Sequence, residues 1–180
     1  GVWTNPFAEY VGYMVGDGCL VETDRLSTAS VVFGTKEEAD EILPRFESII
    51  EEMGVQPYVV AMSNGTVQMR VIRIPFVRFL KELGVKSERA HLKRVPHTIF
   101  QTPKHIIAGF LRGLFSADGC VYEGINATRY VGLGSVSEKL LKDVQQLLLS
   151  FGIVSKIYKT RKPRKAFSYI KKTGELKEYY

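Results

Sequence analysis

The 180-residue sequence predicts an α+β fold of two similar halves, each ordered helix, two strands, helix, two strands, helix. Three observations predict it. The stretch YVGYMVGDG at residues 10–18 returns as FLRGLFSADG at residues 110–119. Aligned on Asp17 and Asp118, the copies lie 101 residues apart and match Gly12 with Gly113, Gly16 with Ala117, Gly18 with Gly119 and Cys19 with Cys120. After each copy the order of strand and helix patterns restarts, and the long helix that follows is closed by a glycine, Gly54 or Gly152.

Asn5-Pro6 opens a helix over residues 7–15 that is apolar on nearly every side, the pattern of a helix buried all round. Gly12 and Gly16 are four apart, as are Gly109 and Gly113, and Gly113 and Ala117. Small residues at that spacing leave a flat stripe on which a second backbone can settle. Gly12, Gly16, Gly113 and Ala117 are therefore the expected helix–helix interface. Each motif helix ends in Asp-Gly, with the glycine expected in the left-handed conformation. Asp17 and Asp118 then stand at the negative ends of their helix dipoles, an unfavourable place for an anion. Two such placements predict a counter-charge, and a bound divalent cation is the natural candidate.

Residues 19–34 read as strand, turn, strand, with Ala29, Val31 and Phe33 on one face and Thr28, Ser30 and Val32 on the other. Thr35, with Glu38 three residues on, caps a helix over residues 36–53. Strands over residues 58–62 and 66–74 flank Ser63-Asn64-Gly65, a hairpin signal. Pro75 starts a short helix over residues 76–83. The first half is thus residues 1–90, and residues 91–104 form a polar, basic linker. The second half, residues 105–180, follows with a motif helix beginning near Pro103 and running to Ala117, and with strands across residues 121–134. An amphipathic helix over residues 137–150 presents Leu140, Leu141, Val144, Leu147 and Leu148. Strands are expected over residues 153–161 and 166–170, with another from Leu176. No counterpart of the first half's closing helix follows.

With 45% hydrophobic residues and a mean hydropathy of −0.04, the composition is that of a soluble globular chain. No apolar run is long enough to span a bilayer, and the opening GVWTNPF is no signal peptide, so a cytoplasmic location is expected. Cys19 and Cys120 form neither a disulfide framework nor a zinc pattern and read as buried, reduced thiols. His91, His97 and His105 are irregularly spaced without a paired carboxylate and read as linker residues. The net charge is +6, but residues 1–152 carry −1 and residues 153–180 carry +7. A basic stripe so confined points to a polyanion, most often nucleic acid. A structural repeat with no nucleic-acid partner conflicts with it.

Contact residues follow from alternation. Gln68 and Arg70 alternate with Val67, Met69 and Val71, and Lys156 and Tyr158 alternate with Ser155 and Ile157. Gln and Arg suit bidentate contact with adenine and guanine edges, and Arg73 follows them in sequence. Arg161, Lys162, Arg164 and Lys165 fall in an expected loop and suit phosphates.

The motif pair resembles the two LAGLIDADG (dodecapeptide) motifs of homing endonucleases, most closely those of the endonuclease domain carried inside inteins. Lys93-Arg94-Val95-Pro96 is similar to the Lys-x-x-Pro element of that group, and residues 147–153 (LLLSFGI) to its Leu-Leu-x-x-x-Gly-Ile type segment. Gly16-Asp17-Gly18 has the Gly-Asp-Gly form of its first motif. The resemblance implies two αββαββα halves related by a pseudo-two-fold axis. Their motif helices would pack at the centre and their antiparallel sheets would form a saddle over double-stranded DNA. It implies Mg2+ (or Mn2+) at Asp17 and Asp118, with Gly16 and Ala117 in the ligand set, and Lys93 beside the reacting centre as a catalytic residue. The related lysine of the second half would fall beyond Tyr180. The implied activity is metal-dependent double-strand cleavage at a long, asymmetric target by a monomer, with an intein splicing domain in the full-length chain. Residue 1 is Gly and no His-Asn pair closes the sequence, so this stretch alone is not expected to splice. The alternative is a DNA-binding module without cleavage, or an RNA-splicing maturase. Both acidic positions are intact, which favours the nuclease.

Overall fold

The computed structural model describes residues 2–23, 26–86, 89–123, 129–159, 167–170 and 176–179, the last two stretches through their backbone pairing. α1 (Asn5–Asp17) starts where Thr4 Oγ1 accepts from Phe7 N at 3.3 Å and Pro6 fits the first turn. Every residue from Phe7 to Gly16 is buried, as expected of a helix apolar on nearly every side, and its one charged residue, Glu9, is ion-paired. β1 (Gly18–Glu22) and β2 (Ser27–Phe33) follow as a hairpin. α2 (Lys36–Glu52) is capped by Thr35 Oγ1, which accepts from Glu38 N at 3.2 Å. β3 (Tyr58–Ala61), β4 (Val67–Val71) and α3 (Ile74–Glu82) complete the half. The antiparallel sheet runs β1-β2-β4-β3. Its inner face, with Leu20, Ala29, Val31, Phe33, Met69 and Val71, is buried under the helices. Ser30 pairs with Arg70 and Val32 with Gln68, so these four residues share the outward face.

Two 3-10 turns, Ala90–Leu92 and His97–Gln101, carry the chain into α4 (Lys104–Asp118). β5 (Gly119–Glu123), β6 (Arg129–Leu133) and α5 (Glu138–Ser150) repeat the earlier order. β7 (Phe167–Ile170) and β8 (Leu176–Tyr179) pair with each other. The architecture is the expected α+β arrangement of antiparallel sheets and helices, with the two motif helices packed together at the centre.

α1 and α4 meet backbone to backbone. A Cβ on Gly12 would run into the carbonyl oxygen of Phe110, and a Cβ on Gly113 into that of Glu9. Glu9 and Phe110 are themselves one repeat apart, so the two contacts are the same contact seen from either half. A Cβ on Gly16 would lie 2.5 Å from that of Ala117. The small-residue stripe is thus the interface, and Glu9 reinforces it with Arg112 of α4 at 3.0 Å and Arg45 of α2 at 3.1 Å. Around α1 the core is aromatic: Tyr10 meets Phe46 edge-on at 5.4 Å and Tyr13 meets Phe33 at 5.3 Å.

Several sequence expectations are corrected. Gly18 and Gly119 are extended (φ −121° and −85°), not left-handed. They are glycines because a Cβ would strike the carbonyl oxygen of Met14 or Phe115, one turn back. Cys19 and Cys120 are exposed rather than buried, since each is the first outward residue after its Asp-Gly. Arg73 is not on β4; it is the exposed N-cap of α3. Residues 153–159, expected as a strand carrying Lys156 and Tyr158, form none. β3 is held by the ladder from β4, whereas the described part of residues 153–161 pairs with no strand among the described residues. It is tied instead by Gln145 Nε2 donating to Ser155 O at 2.8 Å and by Lys159 to Glu138 at 3.0 Å.

The halves are also unequal. Val121 and Val131 pair across β5 and β6 as Leu20 and Ala29 pair across β1 and β2. Leu20 and Ala29 are 4% and 0% exposed, whereas Val121 and Val131 are 74% and 67% exposed. α3 covers the first pair's sheet and anchors to it through Arg78 and Lys81 on Glu22. Among the described residues nothing takes that place on β5 and β6.

Candidate active site

The ends of α1 and α4 bring Asp17 and Asp118 to one open cleft of about 510 Å³. Gly16, Ala90, Lys93, Gly134, Ser135 and Val136 complete its lining. The backbone contact through Gly12 and Gly113 dictates this, because two helices crossing there at equivalent positions must end together. Partial removal from water raises the carboxyl of Asp17, and the neighbouring charges of Asp118 and Glu38 raise it further while Lys93 opposes them. Removal from water likewise raises Asp118, again opposed by Lys93. The centre is therefore short of positive charge.

Lys93 supplies what there is. Its Nζ donates to the carbonyl of Gly16 in the last turn of α1. Its own carbonyl accepts from Ser137 Oγ at 2.7 Å, and Ser137 Oγ also caps α5 by accepting from Leu140 N at 3.2 Å. The next residue, Arg94, forks onto Asp143 of α5 at 2.6 and 2.7 Å, and Val95 N donates to the same carboxylate at 3.1 Å. Ser137 and Asp143 are buried.

Two carboxylates with adjacent backbone carbonyls form a hard oxygen donor set, suited to Mg2+ or Mn2+. Among the described residues no group of three His, Cys, Asp or Glu side chains gathers that could hold a metal. Magnesium keeps several of its own waters, so two carboxylates held together satisfy its needs. The raised carboxyls fit such an ion, because a divalent charge would relieve the deficit that Lys93 meets only in part. Asp17, Asp118 and the Gly16 carbonyl are the oxygens at hand, with Ala117 in contact at the helix crossing.

The other sequence candidates lie elsewhere. Gln68 and Arg70 share the outward face of the first sheet, with Arg70 Nε donating to Gln68 Oε1 at 2.9 Å. Arg73 stands apart from them at the start of α3. Lys156 and Tyr158 are exposed and belong to no described strand. Arg161, Lys162, Arg164 and Lys165 lie outside the described residues. Sequence reasoning missed Glu38 as a neighbour of the centre. It is held there by Tyr13, whose hydroxyl donates to Glu38 Oε1 at 2.7 Å. It also missed Tyr122 and Tyr130, which stack at 4.9 Å on the outward face of β5 and β6. Their alternation was legible, since both fall in phase with Cys120 and Gly132.

This arrangement of helices and antiparallel sheets is similar to that of solved LAGLIDADG homing endonuclease structures. The chain resembles homing endonuclease I-DmoI, solved in complex with DNA and Mn, with a TM-score of 0.61 at 16% identity over 93% of this chain and 82% of that one. Residues 105–179 match the family model of the LAGLIDADG-like domain. Over 165 residues the chain is 33% identical to the replicative DNA helicase DnaB of Synechocystis sp., covering 83% of this chain but 18% of the helicase. Over 156 residues it is 31% identical to the probable translation initiation factor IF-2 of Thermococcus kodakarensis, covering 86% of this chain and 12% of that protein. The chain thus spans less than a fifth of the length of these curated relatives. No helix among the described residues is long and apolar enough to cross a membrane.

Proposed function

We propose that this protein is a divalent-metal-dependent, site-specific endonuclease of double-stranded DNA, working as the homing endonuclease domain of an intein. The observation that carries the reading is the pairing of Asp17 and Asp118 in one charge-deficient cleft at the end of two glycine-faced helices. The likeness to I-DmoI, whose structure holds DNA and Mn, supports the class of chemistry. The intein context is supported by its relatives. A helicase and an initiation factor have unlike activities, yet each shares with this chain one segment that is a small part of its length. An inserted element accounts for that pattern.

In this reading Asp17 and Asp118, with Gly16 and Ala117, hold Mg2+ (or Mn2+), and the protein acts as a monomer with internal pseudo-symmetry. The bound ion supplies Lewis acidity at a phosphate oxygen and a water of lowered pKa. Helix contact through backbone fixes the spacing of the two carboxylates before substrate arrives. Lys93 Nζ offsets charge that develops on the phosphate oxygens. The outward face of the first sheet enters the major groove. There Gln68 and Arg70 exchange their mutual hydrogen bond for base edges. Arg73, Lys156 and Tyr158 flank the duplex, and Arg161, Lys162, Arg164 and Lys165 meet phosphates.

The test starts from duplexes selected by binding from a randomised pool in EDTA, followed by addition of magnesium. Cleavage should appear only with metal. Asp17→Asn and Asp118→Asn should each lower double-strand cleavage by at least about a hundredfold while leaving affinity in EDTA largely intact. Tight binding with no cutting under any divalent metal would identify a DNA-binding module instead.

A further inference from the structure

The ammonium of Lys93 rests where the acidic centre has an oxygen to offer a metal. It donates to the carbonyl of Gly16, the residue just before Asp17. Helix ends leave such carbonyls without intrahelical partners, so this one is open to any nearby cation. Of the described residues lining the cleft, Lys93 is the only one that carries positive charge, facing Asp17 and Asp118. Glu38 adds a third negative charge whose field reaches Asp17.

The placement is enforced from outside the centre. α5 grips the chain immediately after the Lys93 side chain: Ser137 Oγ on the Lys93 carbonyl, then Asp143 on the Arg94 guanidinium and the Val95 amide. A lysine stem carries four rotatable methylenes. With its root held rigid, the side chain can swing its charge between Gly16 and a nearby ligand without moving backbone. An ammonium is one compact charge with three donors, whereas a divalent ion accepts several oxygens at once. Held on the one Gly16 carbonyl, the two cations would stand within a few ångströms and repel each other, so metal there disfavours the ammonium.

We propose that Lys93, mounted on α5 through Ser137 and Asp143, is the resident counter-ion of the acidic centre, and that a divalent metal enters by displacing its ammonium from the Gly16 carbonyl. This rests on the metal-binding reading of Asp17 and Asp118. It adds that Lys93 offsets part of the centre's negative charge in the metal-free protein, at the cost of weaker metal binding. The displaced ammonium is then free for a phosphate oxygen. Metal entry and phosphate binding therefore favour each other, and by linkage each raises the other's affinity by the same factor. Ser137 and Asp143 are positioning residues in this scheme; neither lines the cleft.

The measurement is Mn2+ binding to the full, metal-stripped chain, followed by calorimetry and by the electron paramagnetic resonance signal of free Mn2+. No DNA is present and no activity is read. Lys93→Met keeps the stem and removes the charge. It should bind Mn2+ about tenfold more tightly than wild type, in the usual range of site-to-site coupling. Its metal-free melting temperature should fall, and Mn2+ should restore it by more than it raises wild type. Asp143→Asn, which weakens the mount without touching the cleft, should tighten Mn2+ binding in the same direction by a smaller factor. Equal or weaker Mn2+ binding by Lys93→Met would overturn the proposal while leaving the metal site standing. If Asp17→Asn and Asp118→Asn bind Mn2+ as wild type does, the metal site itself fails and the proposal falls with it.

Discussion

Tyr10 shows how much one atom can matter in this core. It is fully buried beside Phe7, Phe46 and Phe76, and its hydroxyl has no hydrogen-bond partner among the described residues. Burial pushes the phenol far above its ordinary range. An unmatched buried hydroxyl carries a desolvation cost that nothing offsets. Tyr10→Phe should therefore raise the unfolding free energy by about 1 kcal/mol. Thermal denaturation should show this as a rise of about 2–4 °C. A fall in melting temperature would mean that the hydroxyl has a partner after all. Tyr13, one turn on, differs because its hydroxyl donates to Glu38 at 2.7 Å, with Val32 O as a second, longer acceptor at 3.2 Å. Single residues also divide cleanly by legibility. Asp17 and Asp118 could be read because the sequence writes their motif twice. Asp143 and Ser137 could not, because they reach Lys93 and its neighbours across more than forty residues and no local pattern marks such a contact.

Among elements, the α1–α4 pair carries the most. Gly113 lies so close to the Glu9 carbonyl and to Tyr13 N, 2.7 Å from its hypothetical Cβ, that no side chain fits without parting the helices. Gly113→Ala should cost about 3 kcal/mol, the upper end of ordinary overpacking, and should lower the midpoint of urea unfolding. Gly134, where a Cβ meets nothing within 4 Å, is the control, and Gly134→Ala should change stability little. Helices were the legible elements because their apolar period, capping residues and closing glycines are all local. Thr35, Gly54 (φ +74°) and Gly152 (φ +79°) do what their positions imply. Strands were less so. Residues 153–159 alternate as a strand should, yet alternation cannot supply the neighbour on which a strand depends.

For the molecule as a whole, the acidic centre leaves a signature in stability against pH. Asp17 and Asp118 hold their protons more tightly when folded than when unfolded. Their contribution to stability is thus most favourable at or below the ordinary aspartate value of about 3.9 and is lost as pH rises from there through the raised values. Glu22 and Glu138, lowered by hydrogen bonds from Lys81 and Lys159, act in the opposite sense. The clean measurement is therefore a difference. In metal-free solution Asp118→Asn should gain on wild type as pH rises from about 4 to 7, and magnesium should close the gap. A gap that ignores pH would remove the strained carboxylate from the account. The α+β class and its two-part plan were legible because the motif and its following elements recur in order. An inequality of the parts was also expected, in the lack of a second closing helix, but the exposure of Val121 and Val131 was not, because they look as apolar in sequence as Leu20 and Ala29 do and only packing shows them uncovered.

The crossing of Gly12 on Phe110 and Gly113 on Glu9 uses main-chain oxygen rather than side-chain shape. Main chain is common currency among proteins. A seam built from it places little demand on which particular side chains flank it, so either half can be exchanged for a foreign half that brings its own glycines. Such hybrids would carry one outward sheet face from each parent, so a property seated on either face would move by grafting rather than by gradual redesign.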